Sequence, residues 1–561
     1  MKPSDSEREV LDTLASCPFI DRLELAALSG ASRSVVYEAV RRMEDAGFVT
    51  YVPHAADLVP PTRRYRLTAK GLRELAEAEG SAPDDLLRSR PVSAQWLRIL
   101  MERLDALAVI YRLASTVATV VHPVGLRLYR ASPLDAAMIL PGGRTVGLVR
   151  QGHAADRTGF SKRLWRLGEG PLPGLVLLLA PDEVRLRHAG RALARTSANA
   201  LSALERDAVL AGPENRVWRS TASGPDLGLR YAIDRLDAGT EPAAEAPLAA
   251  ATLPDDSFPE ADRALPAILK PAEKCALDLL FDWPWIAPKD LASLLTVSER
   301  RASQITAPLE GFGLMTALPT GRGRRLALTD LGLALLARRD RVSVGVARRR
   351  WSAAPLYPNA PCDWRNVSGR RSRQLLRNIE HTGAVHAFAA SLARQAKALG
   401  WELAQLDPPM RASRHFRHRG GFRSVHPDAF GVLRRGPASW AFFLEWERRA
   451  VRPSTMAERL APYLRYYSSH RPTDDHGVRP DVLIVFDDAV AETHFLRVAL
   501  GQMDRAQVGV PLWVSHRAAI DALGPLGRAW RTPEDPEPAH VLLAAAHPAR
   551  GGGGAAAPVP S

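Results

Sequence analysis

Three carboxylates stand where acid is unexpected: Asp428 in His426-Pro427-Asp428-Ala429-Phe430, and Glu445 and Glu447 in Trp440-Ala441-Phe442-Phe443-Leu444-Glu445-Trp446-Glu447. The second segment is mostly large and apolar, the pattern of a strand buried in a sheet. Strand side chains alternate faces, so Glu445 and Glu447 share a side with Phe443, and Trp440, Phe442, Leu444 and Trp446 pack the other. Burying unpaired carboxylates is costly, so this pair needs a cation, a basic partner or water.

Just before Asp428 runs Arg411-Ala412-Ser413-Arg414-His415-Phe416-Arg417-His418-Arg419-Gly420-Gly421-Phe422-Arg423. Arg414, Arg417 and Arg419, with two glycines and two aromatics among them, suit a loop that grips phosphates and stacks on bases. A merely solvated basic loop is the alternative.

The elements needed to position these groups follow from periodicity. The order after Leu375 is a helix to Leu399, the basic segment, a strand at Asp428–Leu433, the acidic strand, a helix at Met456–Tyr467 and a strand at Asp481–Phe486. A helix at Ala489–Gln502 and a strand at Val510–Ser515 close the unit. Near the N-terminus, Glu7–Ala15, Asp21–Leu28 and a third segment capped by Ser32 read as helices, the last with Val36, Ala39, Val40 and Met43 inward. Phe48–Tyr51 and Arg64–Thr68 then form two strands, and Lys70–Ala78 returns as helix. This order resembles a winged-helix domain. In it Arg33, Ser34, Tyr37 and Arg41 face out to reach a major groove, and Arg63 and Arg64 on the wing touch phosphate or minor groove.

A shift of 266 residues lays Glu7, Leu11, Asp12, Leu14, Pro18 and Ile20 on Glu273, Leu277, Asp278, Leu280, Pro284 and Ile286 without a gap. It predicts a second winged helix with Arg300, Arg301 and Gln304 on its recognition helix and Arg324 and Arg325 on its wing. Pro308 is expected to kink or end that helix early. The likeness extends, more faintly, into the segments that follow: Val146–Gly152 falls on Ala441–Glu447, so Arg150 and Gly152 stand at the places of Glu445 and Glu447. The reading is a tandem duplication. Its parts are a winged helix at 1–82, a degenerate α/β domain at 90–236, a flexible linker at 237–264, a second winged helix at 265–345, a second α/β domain at 360–530 and a disordered tail at 531–561.

The composition agrees with a polyanionic partner. The chain has 561 residues, so roughly three to five domains, and its 75 Lys and Arg against 61 Asp and Glu leave a net charge of +14. The positive charge is almost all arginine. Its 3 cysteines lack metal-ligand spacing, which together with the absence of an apolar leader or an 18–20-residue apolar run predicts a cytoplasmic protein away from membranes. Two winged helices in one chain make an internal pseudo-dimer, favouring a monomer.

The strand pair bearing Pro427-Asp428 and Glu445-Trp446-Glu447 looks like the PD-(D/E)xK restriction-endonuclease-like fold. With the upstream winged helix, Glu380-His381 on the leading helix and Arg459-Leu460 before Tyr463, it resembles the bacterial replication-relaxation family. The fold class implied is multidomain α+β and α/β, with two winged helices each followed by a restriction-endonuclease-like α/β domain. The resemblance implies a double-stranded DNA partner, a role in plasmid or mobile-element replication or mobilisation, and contact with the proteins of that process. It also implies Mg²⁺ or Mn²⁺ held by Asp428 and Glu445, with Glu380 as a third ligand. The lysine that active members place two residues after the second acid is Glu447 here, and Arg448, Arg449 and Arg459 cannot act as a base because guanidinium stays protonated. Asp428, Glu445 and Glu447 are thus the candidate catalytic set of a metal-dependent endonuclease, the alternative to a DNA-binding protein without cleavage or a winged-helix transcriptional regulator.

Overall fold

In the computed structural model the described residues are 4–220, 225–256, 261–321, 323–447 and 453–542, with the backbone alone for 261–263 and 453. Helices Asp5–Ser16, Arg22–Ser29 and Arg33–Asp45 precede a hairpin of Val49–Ala56 and Val59–Leu67 and a closing helix, Ala69–Glu79. The helices begin where short polar side chains can take up the free N–H groups of a first turn. Ser4 with Glu7 and Asp21 with Glu24 form reciprocal capping boxes, and the Ser32 hydroxyl accepts from the Val35 N–H.

Helices Pro271–Asp282, Pro288–Leu294 and Glu299–Gly311, strands Met315–Thr320 and Gly323–Leu328, and helix Asp330–Arg339 follow the same order. Small details recur with it. A Cβ on Gly71 would lie 2.1 Å from the Phe48 carbonyl oxygen, and one on Gly332 would lie 2.1 Å from that of Leu314, so both closing helices pack too closely for any side chain. Pro308 does not end its helix. The turn continues to Gly311, and the Phe312 N–H donates to the Pro308 carbonyl at 2.9 Å, although the proline lacks a donor and its ring crowds the Gln304 carbonyl.

Each of these units is followed by a sheet. The first has six strands in the order Gly125–Leu128, Ala136–Leu140, Arg144–Arg150, Leu175–Ala180, Ala200–Leu204 and Arg219–Ser220. The second has five: Glu402–Asp407, Ala429–Arg435, Ala438–Glu447, Asp481–Phe486 and Leu512–His516. In both, the first two junctions are antiparallel and the next two parallel. The second sheet is the middle of three layers. Trp440, Phe442, Leu444 and Trp446 pack with Phe388 and Leu392 of helix Ile379–Ala398, and Phe443 and Ile484 pack with Leu460 and Phe495 of helices Pro453–Tyr467 and Ala489–Ala506.

The hydrogen bonds fix how the two sheets correspond. The Asp135 N–H donates to the Leu148 carbonyl and the Asp428 N–H to that of Leu444, each at 2.8 Å. The Arg150 N–H donates to Asp135 Oδ2 at 2.6 Å, as the Trp446 N–H does to Asp428 Oδ2 at 2.8 Å. Val149 therefore stands at the place of Glu445, Arg150 at that of Trp446 and Gln151 at that of Glu447. The expected match of Arg150 and Gly152 with the two glutamates is off by one residue, a slip that exchanges the faces of a strand. The hairpins leading into the two strands differ in length, and sequence likeness alone does not fix how many residues the longer one adds.

The stretch expected to be a flexible linker is instead held as a strap. Glu245 accepts from the N–H groups of Arg130, Ala131 and Ser132 at 3.0, 2.7 and 2.6 Å. Asp256 accepts from the Ala69 N–H at 2.7 Å, and Arg66 donates to the Asp255 carbonyl at 2.9 Å. The acids that made the segment look solvated are what bind it down, and Ala261–Ile268 is already helix. The expected disordered tail at 531–561 is ordered where it is described: Arg531 and Val514 exchange backbone hydrogen bonds at 2.8 and 2.9 Å, the Ala539 N–H donates to the Trp530 carbonyl at 2.7 Å, and Val541 is buried. Residues 257–260 and 543–561 lie outside the described residues.

Candidate functional site

Glu445 and Glu447 open onto a cavity of about 200 Å³, shared with His426, Arg459 and Tyr463. Each acid has a protein partner. The Tyr463 hydroxyl donates to Glu445 Oε1 at 2.5 Å, and Arg459 Nη1 lies 2.6 Å from Glu447 Oε1. Asp428 is engaged on both oxygens, by the Trp446 N–H and by His381 Nε2 at 2.9 Å. His381, on the first turn of helix Ile379–Ala398, is the residue that reaches the acid. Its neighbour Glu380, expected as the third ligand, is half-buried on the same turn.

The electrostatics follow from crowding. Burial, the charge of Asp428 and that of Glu447 push the Glu445 carboxyl well above the ordinary glutamate range, against the stabilising Tyr463 hydroxyl. Burial raises Glu447 too, with Arg459 opposing it. Burial favours the neutral ring of His381, but the bond to Asp428 and the nearby negative charges outweigh it and raise its pKa.

As arranged, the acids are met by protein groups rather than gathered as a set of cation ligands. Among the described residues no group of three or more His, Cys, Asp or Glu side chains is gathered to hold one. Asp428 accepts one hydrogen bond on each oxygen, and Glu447 is already paired with Arg459. Arg448 and Arg449 lie outside the described residues.

The first sheet's counterpart of this site is a socket. Arg341, just past helix Asp330–Arg339, donates to Asp135 Oδ1 and the Leu134 carbonyl, both at 2.8 Å. Asp340 accepts from the Ala154 N–H at 2.8 Å and from Arg150 at 3.1 Å. A Cβ on Gly152 would stand 2.3 Å from the Asp340 carboxyl carbon, so glycine is required there by the approach of the second half.

The residues expected to face DNA divide. Arg33, Ser34, Tyr37 and Arg41 are exposed on helix Arg33–Asp45, opposite buried Val36, Ala39, Val40 and Met43. Arg63 is exposed and lies over the Tyr51 ring at 4.2 Å. Arg64 is not on the surface: it is fully buried, donating to Glu24 at 2.9 Å, the Phe19 carbonyl at 3.0 Å and His54 Nδ1 at 3.0 Å. In the second unit Arg300, Arg301 and Gln304 are exposed, Arg324 pairs with Glu310 at 3.2 Å, and Arg325 is half-buried against Gly383. The basic run is a hairpin rather than a loop, Arg414–His418 paired with Gly421–Val425. Arg414 is buried in its base, over the rings of Phe430 and Phe443, and is removed from the expected DNA face; Arg417 and Arg419 are exposed. No helix among the described residues is long and apolar enough to cross a membrane.

No curated protein and no solved structure matches the chain. Two family models do, and both support a DNA-binding, replication-related role. One covers the exposed recognition helix, and the other spans the hairpin and all three carboxylates. The chain thus matches the replication-relaxation family over residues 290–482 and the winged helix-turn-helix DNA-binding family over residues 4–50.

Proposed function

We propose that the chain is a DNA-binding protein of replication-relaxation type that acts on double-stranded plasmid or other mobile-element DNA, in concert with the proteins that replicate or mobilise it. In this reading the gene arose by tandem duplication of a winged helix and a restriction-endonuclease-like domain, and both winged helices face duplex. The observation that carries it is the outward face of helix Arg33–Asp45, where Arg33, Ser34, Tyr37 and Arg41 are exposed opposite the buried stripe. The shared strand order, the matching bonds at Asp135 and Asp428 and the paired glycines Gly71 and Gly332 support duplication.

The first α/β domain has become a docking socket. The second keeps its acids as a protein-satisfied cluster, so DNA holding rather than cleavage is its role. Binding of a labelled duplex across a salt series tests the reading: affinity should fall steeply with salt, and Arg33→Ala and Arg41→Ala should each flatten the slope by about one. An affinity that barely changes with salt overturns it. Calorimetry with Mn²⁺ beside a supercoiled-plasmid relaxation assay tests the scaffold role, since a metal site lost in both Asp428→Ala and Glu445→Ala, with nicking of plasmid by the native chain, would make the domain an endonuclease after all.

A further inference from the structure

The hairpin Arg414–Val425 is built to project. Arg419 and Gly420 make its two-residue turn with φ of 48° and 79°, the left-handed pair that matches the twist of a tight hairpin. Its base is fixed: Arg414 and Phe416 are each 2% exposed, and Phe416 meets the Tyr466 ring at 5.2 Å. Alternation then turns His415 and Arg417 outward. On the returning strand Phe422 is 74% exposed, with the Arg417 guanidinium over its ring at 5.0 Å. Arg423 beside it is exposed, and no Asp or Glu occurs between Asp407 and Asp428.

An aromatic ring held in water, on a hairpin whose charged side chains are all basic, adds nothing to the core. A guanidinium-backed ring presents a flat apolar surface with positive charge around it, which suits an unstacked base and its phosphates. Duplex keeps its bases stacked and offers no such face, whereas a single strand does. We propose that this hairpin is a base-stacking wedge for single-stranded DNA, with Phe422 stacking on a base and Arg417, Arg419 and Arg423 holding the flanking phosphates. The proposal rests on the DNA-binding reading and adds a second, strand-specific surface to it.

Titration of the full chain with a single-stranded oligonucleotide carrying 2-aminopurine tests it. The native protein should bind and alter the probe's fluorescence. Phe422→Ala should weaken single-strand binding about tenfold with the salt slope unchanged, and Phe422→Tyr should restore it. Arg417→Ala and Arg419→Ala should instead each lower the salt slope by about 0.7. Duplex affinity should not change in the Phe422 variants. Undiminished single-strand binding by Phe422→Ala, or none by the native chain, overturns the wedge even where salt-dependent duplex binding persists. Loss of duplex binding in the native chain would remove the underlying DNA reading itself.

Discussion

Glu445 makes the clearest residue-scale prediction. Its carboxyl is raised by burial and by Asp428 and Glu447, so the folded state holds its proton more tightly than the unfolded chain does. Such a group stabilises the fold below the ordinary glutamate value and loses that contribution as pH rises toward the raised one. Glu445→Gln cannot ionise and still accepts from Tyr463. Its stability relative to the native chain should climb with pH above the ordinary glutamate range, by up to about 1.4 kcal/mol per pH unit, and be level below it. Urea titrations across pH that ran parallel for the two proteins would refute this. Neighbouring arginines give the second prediction. Arg64→Ala leaves Glu24 buried without its cation and should cost about 3–5 kcal/mol. Arg63→Ala should cost under about 1 kcal/mol yet weaken duplex binding, since that side chain is 54% exposed. Thermal melts beside binding curves separate the two.

At the scale of elements, the chain announces what is local and hides what is not. Ser32 and the stripe Val36, Ala39, Val40, Met43 mark a helix because a cap and a 3.6-residue period act within a few residues. The faces of Ala438–Glu447 were equally legible, since a period of two needs no partner. Arg64 was not, because its partner Glu24 lies forty positions away and nothing near either residue pairs them. The hairpin at Arg414–Val425 was hidden by its charge: the alternation of Arg414 and Phe416 with His415 and Arg417 was present, but a run of arginine and glycine reads as loop. The register of Arg144–Arg150 against Ala438–Glu447 depended on hairpin length, which only pairing reveals. Gly152 carries the test of the socket. Gly152→Ala forces Asp340 away from Arg150 and the Ala154 N–H, and should lower stability by about 2–4 kcal/mol in a denaturant titration, with duplex binding by the first winged helix retained. A loss under about 0.5 kcal/mol would mean the two halves are not seated there.

Across the whole molecule, the halves are joined by buried ion pairs rather than by a flexible tether, and this makes their joint sensitive to acid. Lys274 in the second half donates to Asp105 at 2.6 Å, and Asp105 also meets His54 Nε2 at 2.8 Å. Burial opposes ionisation of Asp105, Asp135 and Asp340. Lys274 and His54, then Arg163 and Arg341, then Arg339 and Arg150, overcome it and hold the three well below the usual carboxylate range. Burial also lowers His54 to about 4, with Asp105 resisting. A depressed histidine stabilises the fold above its ordinary value of 6.5 and loses that contribution as pH falls toward 4. Depressed aspartates contribute above the ordinary carboxylate value and lose it as pH falls through that value toward their own. Acidification should therefore weaken the joint in two steps, the first between about 6.5 and 4 through His54 and the second below it through the aspartates. Hydrogen exchange in segments 150–154 and 339–341, corrected for intrinsic rates, should quicken in the first step. In His54→Gln, which keeps one acceptor for Arg64 and one donor for Asp105 without titrating, that step should vanish and the second remain. Unchanged exchange in the native chain between pH 7 and 4 would mean that the wing of the first half does not report on the joint, and that the ion pairs at Asp135 and Asp340 hold the halves together alone.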